Sequence, residues 1–564
     1  MHRQIQRTDH PVAQAFTSLG PSETIRDLLL ITLGVGFLVF ISLGDRDLWN
    51  PNEPIYGRAV VEMAERDDWL IPTVNGQVFA EKPILYYWMA LATSELTGSV
   101  DEFSLRVPAA MAALASALLT YLLVLPYAGR RRALLVVALF ATLYQAFWAS
   151  RAVQMDILVL ASTLGVVLAL TRLLDFHAPT TPAFAMAGLA AGLGFLAKGP
   201  VSLVLPGLVV FGYAASSRCL DKLLHRHLWV GVVTAIAVCM PWYGLLWLRG
   251  EGDFLYEVLF RQNFTRFVDA WDHQQPWWYF LKYLWIDYAP WSWLLPAAWL
   301  TVARHDGEQR LDRLSWIWIL GVIGFFSLSE SKRAPYILPI APAVAILASS
   351  VFERWIGGWK GEKRAQSLAR FALATLAIAL LIVGGALFVH REIPDSLQST
   401  AWLLGSLLVI TGGAAGWGVV AHAKWPKMAP ISMLVGVALL YLVAAVRIFP
   451  AMDPFKSARS FSAEMTRVLD TTDGAVASFL FWDWRSGYSY YGERSIPGLE
   501  TPEELQAFWQ EQTGAHVLVE DENRIELLNL IPEAQLILQG KIGSRQAFLF
   551  AKPTVLSDST HPSP

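Results

Sequence analysis

Apolar runs near the length of a bilayer crossing recur from Leu28 to about residue 448, separated by short polar breaks. They fall near 27–44, 106–128, 134–149, 155–173, 182–197, 200–216, 228–248, 286–303, 315–329, 335–352, 371–390, 402–421 and 429–447. The pattern predicts an all-α polytopic membrane domain of about thirteen spans over 27–448. The first run is too long, and too poorly followed by a small-residue cleavage site, to be a removable signal peptide, so it reads as a retained anchor. Past residue 448 the pattern changes. A charged helical stretch at Ser462 to Leu469, a capping-box start at Thr501, Pro502 and Glu504, and strand-like runs at 475–481, 515–519, 536–538 and 547–551 predict a small soluble α/β domain over 449–564.

The basic residues orient this layout. One alternating set of loops carries Arg3, Arg7 and Arg26, then Arg130, Arg131 and Arg132, then Arg218, Lys222 and Arg226, then Arg304, Arg310 and Arg313. It continues with Arg354, Lys360, Lys363, Arg364 and Arg370, and ends with Lys424 and Lys427. By the positive-inside rule this set, including the N-terminal segment 1–26, is cytoplasmic. Two long loops, about 45–105 and 249–285, and everything after 448 are then external or periplasmic, which suits a bacterial inner membrane. Composition agrees: with 54% hydrophobic and 16% charged residues in 564, the chain is too apolar for a soluble enzyme of its size. A formal charge of −3 gives no basic excess for nucleic acid, and Cys219 and Cys239 lie in or beside apolar segments, which supports neither a disulfide framework nor a thiolate metal cluster.

Ionisable groups at helix ends and in membrane-hugging loops are expensive, so their distribution points to chemistry. Here they gather on the outer side. The first loop holds Asn52, Glu53 and Tyr56, then Glu81, Lys82 and Tyr87; Asp156 opens the fourth run and Lys198 closes the fifth. The second loop offers Arg261, Arg266, His273 and Trp277, and the ninth and tenth runs meet around Lys332, with Tyr336 following. Cations at this depth suit a lipid-linked phosphate, which accepts several charge-assisted hydrogen bonds, and a carboxylate beside them suits a general base. Transfer of a group from a lipid phosphate is the reaction these residues describe.

The motifs behind these residues resemble those of the membrane glycosyltransferases of the C-type fold, the family of the aminoarabinose transferase acting on lipid A and of the protein O-mannosyltransferases. Trp49-Asn50-Pro51-Asn52-Glu53-Pro54-Ile55-Tyr56 is similar to the Trp-x-Pro-Asp-Glu-x-x-Tyr pattern of the bacterial aminoarabinose-transferase-like branch, and Glu81-Lys82-Pro83-Ile84-Leu85-Tyr86-Tyr87-Trp88 to its Glu-Lys-Pro-Pro-Leu-x-Tyr-Trp pattern. Arg106, Met155-Asp156, Lys198-Gly199-Pro200, the Arg266 to Tyr279 segment and Ser331-Lys332 with Tyr336 follow in the family's order, and the likeness covers roughly 27–350. It implies a polyprenyl-phosphate sugar donor, inverting transfer at the outer face, and a lipid, glycan or protein acceptor. The donor phosphate would rest on Lys82 and Lys332, with Lys198, Arg266, Arg261 and Tyr336 as further contacts, and Tyr56, Tyr87 and Trp277 would face sugar or acceptor.

One departure matters. Where the family carries an Asp taken as the base, this chain has Asn52, and an amide cannot act as a base near neutral pH. Either Glu53 or Asp156 supplies the carboxylate, with Glu53 the first choice, or Asn52 only positions a self-activating acceptor, or the chain is an altered member. No cofactor is expected to be required; Glu81 and His273, far apart in sequence, are thin grounds for a divalent metal. Against these readings stand plainer ones: an interfacial snorkelling Lys82, helix-terminating Lys198 and Lys332, solvent-facing Arg261 and Arg266. Two rival functions share the topology. A lipid-linked sugar transporter should show two related halves with polar groups near mid-membrane, and a pyrophosphate-donor polymerase or ligase should lack this motif series.

Overall fold

The computed structural model describes residues 21–553 apart from 266, 268–272, 360, 391, 392, 394, 473 and 482–484. The chain divides into two compact units. The first comprises Met1–Leu43, Ala80–Tyr86 and Arg106–Ile448, and the second comprises Gly44–Phe79, Tyr87–Leu105 and Phe449–Pro564.

The first unit is mainly helical over its described residues. Its principal helices are α1 (Pro21–Phe40), α2 (Glu102–Ala141), α3 (Asp156–Phe176), α4 (Thr180–Lys198), α5 (Val201–Ser216) and α6 (Leu228–Leu248). They continue with α7 (Asp306–Leu328), α8 (Ala341–Gly357), α9 (Lys363–Val389), α10 (Asp395–Val420) and α11 (Met428–Val443). Among the described residues nine helices are long and apolar enough to cross a membrane, and α5 is a shorter apolar helix. The 40-residue α2 is two helices meeting at Gly129, whose φ of 76° is open to glycine and strained for other residues. That break separates the apolar runs 106–128 and 134–149.

The run 286–303 does not form a span. It breaks into Tyr279–Asp287, a 3₁₀ turn at Trp291–Leu294 and a single helical turn at Leu295–Trp299. Pro290 and Pro296 lack backbone donors, and the 3₁₀ turn is anchored sideways by the Trp291 indole, which donates to Thr142 Oγ1 at 2.9 Å. Several arginines that sequence reads as topological signals are structural as well. Arg132 and Arg354, both buried, reach Glu308 Oε1 at 3.2 and 2.9 Å, and Arg354 also meets Glu362 at 3.2 Å.

In the second unit a short hairpin, β1 (Thr73–Val74) with β2 (Gln77–Val78), precedes a five-stranded sheet. The sheet contains β3 (Val476–Phe479), β4 (Gly498–Leu499), β5 (His516–Glu520), β6 (Gln535–Ile542) and β7 (Arg545–Ala551) in the order β4-β3-β5-β7-β6. β3 is parallel to β4 and β5, while β7 runs antiparallel to β5 and β6. β5 is buried at every position, as expected of a central strand covered on both faces, and two apolar clusters, one around Leu518 and Leu549 and one around Val517 and Phe550, lie on opposite faces. The helix Pro502–Glu511 starts with the expected capping box: Thr501 Oγ1 accepts from Glu504 N at 3.2 Å, and Glu504 Oε2 accepts from Thr501 N at 3.3 Å.

The first long loop folds with this α/β domain. Leu48 N donates to Tyr491 Oη at 2.6 Å, Trp49 Nε1 to Asp453 Oδ1 at 2.8 Å, and Ile496 N to Asn75 Oδ1 at 3.1 Å. Beneath the hairpin, buried Glu62 accepts from Arg58 Nε, Thr73 Oγ1, Asn75 N and Gly76 N at 2.6 to 3.2 Å. Burial acts to raise the Glu62 pKa, but these donors and the Arg58 charge outweigh it and hold the carboxyl below its ordinary value.

Candidate active site

The site begins with the α3/α4 hairpin. The two helices are of similar length and pack along each other, so the start of α3 and the end of α4 come to the same level. Close packing fixes the register: a Cβ on Gly165 would lie 2.8 Å from Ala190 Cβ, and one on Gly194 would strike Ser162. Asp156 is the first residue of α3 and Lys198 the last of α4, each at the helix end whose dipole favours its charge. Lys198 Nζ meets Asp156 Oδ1 at 2.5 Å, and Asp156 Oδ2 accepts from Gln154 Nε2 at 3.1 Å. Gly199 then turns the chain at φ 72°, with its site closed by the Asn263 side chain 3.3 Å from any added Cβ.

Around this pair lies a cavity of about 360 Å³. Lys82, Glu81, Asp156, Lys198 and Tyr336 line its polar part, and Val201, Val204, Leu205, Phe325 and Phe326 line an apolar part. Lys82 Nζ lies 3.8 Å from Glu81 Oε2 and donates to the Glu81 carbonyl at 3.1 Å. The Lys198 ammonium stands 4.7 Å from the Tyr336 ring centroid, a cation–π contact that holds it against the 3₁₀ turn Ala334–Ile340. Two cations and two carboxylates thus share one pocket with an aliphatic and aromatic wall, which suits an amphiphile bearing an anionic head.

Several expected contacts fall elsewhere. Lys332 does not line the cavity. It is buried, and its ammonium donates to the Gln275 carbonyl at 2.9 Å and to the Ser329 carbonyl, tying the 273–276 strip to the turn that Gln274 and Ser331 bridge. Burial pulls the Lys332 pKa down, opposed by Glu330. Arg261 is exposed on a π-helical stretch, Glu257–Thr265, and pairs with Glu257 at 3.2 Å; its neighbours Gln262 and Asn263 line the cavity instead. Trp277 is exposed and His273 is exposed at φ 54°. Arg266 lies outside the described residues.

In the second unit Tyr56 and Tyr87 are buried against each other, ring centroids 6.4 Å apart, with Phe79 beside Tyr56. Glu53 is buried too, with Oε2 2.6 Å from Arg46 Nη1 and Oε1 2.9 Å from Nη2; Trp49 N donates to Oε2 at 2.9 Å. This two-pronged pair closes the 46–53 turn, and Asn52 beside it is exposed. Among the described residues no group of three His, Cys, Asp or Glu converges, whereas a catalytic zinc site takes three protein ligands. Gln262, Asn263, Ser329 and Ser331 also line the cavity; the sequence marks Asn263 among the polar residues of the second outer loop but assigns none of the four a role. Ser331 alone sits inside a recognised motif, and its buried hydroxyl has no hydrogen-bond partner among the described residues.

The fold matches the crystal structure of ArnT from Cupriavidus metallidurans bound to undecaprenyl phosphate, with a TM-score of 0.73, 19% identity, and coverage of 95% of this chain and 99% of that one. That fold, together with relatives 30% identical over most of the chain, makes the protein a membrane glycosyltransferase of the C-type fold. A model of the dolichyl-phosphate-mannose-protein mannosyltransferase family matches residues 81–247, the stretch that carries Lys82, Asp156 and Lys198. Undecaprenyl phosphate-alpha-4-amino-4-deoxy-L-arabinose arabinosyl transferase of Pseudomonas paraeruginosa is 30% identical over 507 residues, 85% of this chain and 87% of that protein. Its namesake in Shewanella sediminis is 30% identical over 416 residues, 70% of this chain and 71% of its own. The chain belongs to this family of arabinosyl transferases.

Proposed function

We propose that the chain moves a 4-amino-4-deoxyarabinose-type sugar from undecaprenyl phosphate to a lipid A-like acceptor, at the periplasmic face of the inner membrane. The basic loops support an N-terminus in the cytoplasm and an α/β domain outside. The observation that carries the reading is the single cavity joining Lys82, Lys198 and Asp156 to a hydrocarbon wall. The polyprenyl chain lies along Val201, Leu205 and Phe326, and its phosphate rests on the two ammonium groups. An acceptor hydroxyl attacks the anomeric carbon with inversion, and the bond from that carbon to the phosphate oxygen breaks with its electron pair leaving on the polyprenyl phosphate. The lysines stabilise the departing charge, and Asp156 takes the hydroxyl proton. With Glu53 bound to Arg46, the base role falls to Asp156, and no metal is required because the lysines already neutralise the leaving group.

Incubating enzyme-containing membranes with labelled undecaprenyl-phosphate and undecaprenyl-pyrophosphate sugars tests this. Turnover of the monophosphate alone is expected, and Lys82→Ala should lower it by about 10²–10³-fold, the cost of losing one oxyanion donor. Transfer from the pyrophosphate donor, or movement of the donor across the bilayer without glycosyl transfer, would overturn the reading.

A further inference from the structure

Far along the chain from the catalytic cavity, α10 and α11 form a second hairpin, joined at 421–427, and a cavity of about 640 Å³ opens along their seam. The helices touch tightly at two glycines: a Cβ on Gly418 would lie 2.4 Å from Ala429 N, and one on Gly436 would lie 2.2 Å from Thr411 Cγ2. Small residues, Ala414 and Ser432, form the floor between these contacts, while Ile410, Ile431, Val435 and Leu439 stand exposed along the sides. Such a trough fits an unbranched acyl chain. It extends from the loop as far as Leu439; residues 428 to 439 of a helix rise about 16 Å. Half of a hydrocarbon core about 30 Å thick is nearly the same, so the trough spans one leaflet.

Its open end is cationic. Lys424 and Lys427 line it, both exposed, beside Trp425, whose indole lies 5.9 Å from the Lys424 ammonium. None of the lining residues is acidic, and no Asp or Glu occurs anywhere from 396 to 452. The N-terminus of α11 begins at Met428, directly after Lys427, and adds the positive end of its dipole. We propose that this groove binds an anionic glycerophospholipid of the leaflet on the side of the basic loops. The phosphodiester sits on Lys424 and Lys427, Trp425 lies at the headgroup level, and one acyl chain fills the trough. The site is separate from the donor cavity and does not rest on the reaction assigned above.

Native mass spectrometry of the full chain in mild detergent, titrated with phosphatidylglycerol and with phosphatidylcholine of identical acyl chains, tests it. The wild type should retain one phosphatidylglycerol at concentrations where phosphatidylcholine has dissociated. The Lys424→Gln/Lys427→Gln variant should bind phosphatidylglycerol about 25-fold more weakly, about fivefold for each lysine, with phosphatidylcholine unchanged. Ala414→Leu, which keeps both charges and fills the floor, should weaken both lipids alike. Equal retention of the two lipids by the wild type, or an unchanged titration in the double lysine variant, would reduce the groove to ordinary bilayer contact and overturn the proposal. One-for-one displacement of phosphatidylglycerol by undecaprenyl phosphate would overturn it in a different way, by making the groove a second carrier site.

Discussion

Replacing Lys198 by Met removes the cation from Asp156 while keeping most of the side chain's bulk. At 2.5 Å, two unit charges attract by about 7 kcal/mol at an effective dielectric of about 20 and by about 2 kcal/mol in bulk water. Both side chains are largely shielded, 17% and 14% exposed, so the interaction lies between these limits before desolvation offsets part of it. A coupling of about 2–4 kcal/mol is therefore expected between the two groups in a cycle of Lys198→Met, Asp156→Asn and the double variant. Equilibrium unfolding of the four proteins in mixed detergent reads the stability term, and transfer from labelled undecaprenyl-phosphate sugar reads the catalytic one. Lys198→Met should destabilise more than the double variant does, because only the single variant leaves a shielded carboxylate without its cation. Both single variants should lose transfer by about 10²-fold or more, and the double variant should not recover it, since the leaving group still lacks its ammonium and the acceptor its base. A coupling below about 0.5 kcal/mol, the value of an exposed ion pair, would refute the shielded pair. Normal transfer by Lys198→Met would refute the phosphate role.

Glu53→Gln should act on folding rather than chemistry: breaking the pair with Arg46 costs about 3–5 kcal/mol, while the properly folded fraction keeps its kcat, and a fall in kcat without loss of stability would return the base role to Glu53. Glu62, whose pKa is lower folded than unfolded, contributes stability that is present above the unfolded carboxyl value of about 4.5 and is lost as pH falls below it toward the folded value. Unfolding followed from pH 7 down to about 3 should show that acid loss shrink in Glu62→Gln, and equal acid sensitivity in both proteins would exclude this group as its source. Dialysis against a chelator should leave transfer within about twofold if, as proposed, the two lysines carry the leaving-group charge; loss of activity restored by an added divalent ion would show that the reaction needs a metal.

What could be read in advance follows from the range over which each signal acts. Asp156 and Lys198 were legible because one opens an apolar run, the other closes the next, and the two runs form one hairpin, so local periodicity alone sets them at the same level. Lys332 shows the limit: a lysine after a span looks the same in sequence whether its ammonium enters a cavity or caps carbonyls, and the partners here are Gln275, contributed by a loop far back in the chain, and Ser329. Arg132 and Arg354, which the sequence reads as topological signals, also hold Glu308, since a charge counted in the topology rule is still available for an ion pair. The run 286–303 misled because hydropathy counts apolar side chains and is blind to the backbone donors missing at Pro290 and Pro296.

The departure at Asn52 is where these limits bear on mechanism. Sequence alone made the adjacent Glu53 the obvious substitute for a missing carboxylate, because proximity in the motif was the available criterion. Arg46, seven residues earlier, reverses that preference once the turn closes, for a carboxylate held by two guanidinium bonds and a backbone amide has its lone pairs engaged and its charge matched. Among the described residues Asp156 pairs with one lysine and accepts one bond from the Gln154 amide, and in the proposed mechanism that lysine also faces the donor phosphate. A negative phosphate arriving at Lys198 competes for the ammonium and loosens its hold on Asp156, so donor binding itself prepares the carboxylate to accept a proton. On this reading the transferase keeps its base idle until the donor is in place. Hydrolysis of the bound donor by water needs the same proton transfer, so it should fall in Asp156→Asn, and hydrolysis unaffected by Asp156→Asn would show that this carboxylate does not handle the proton.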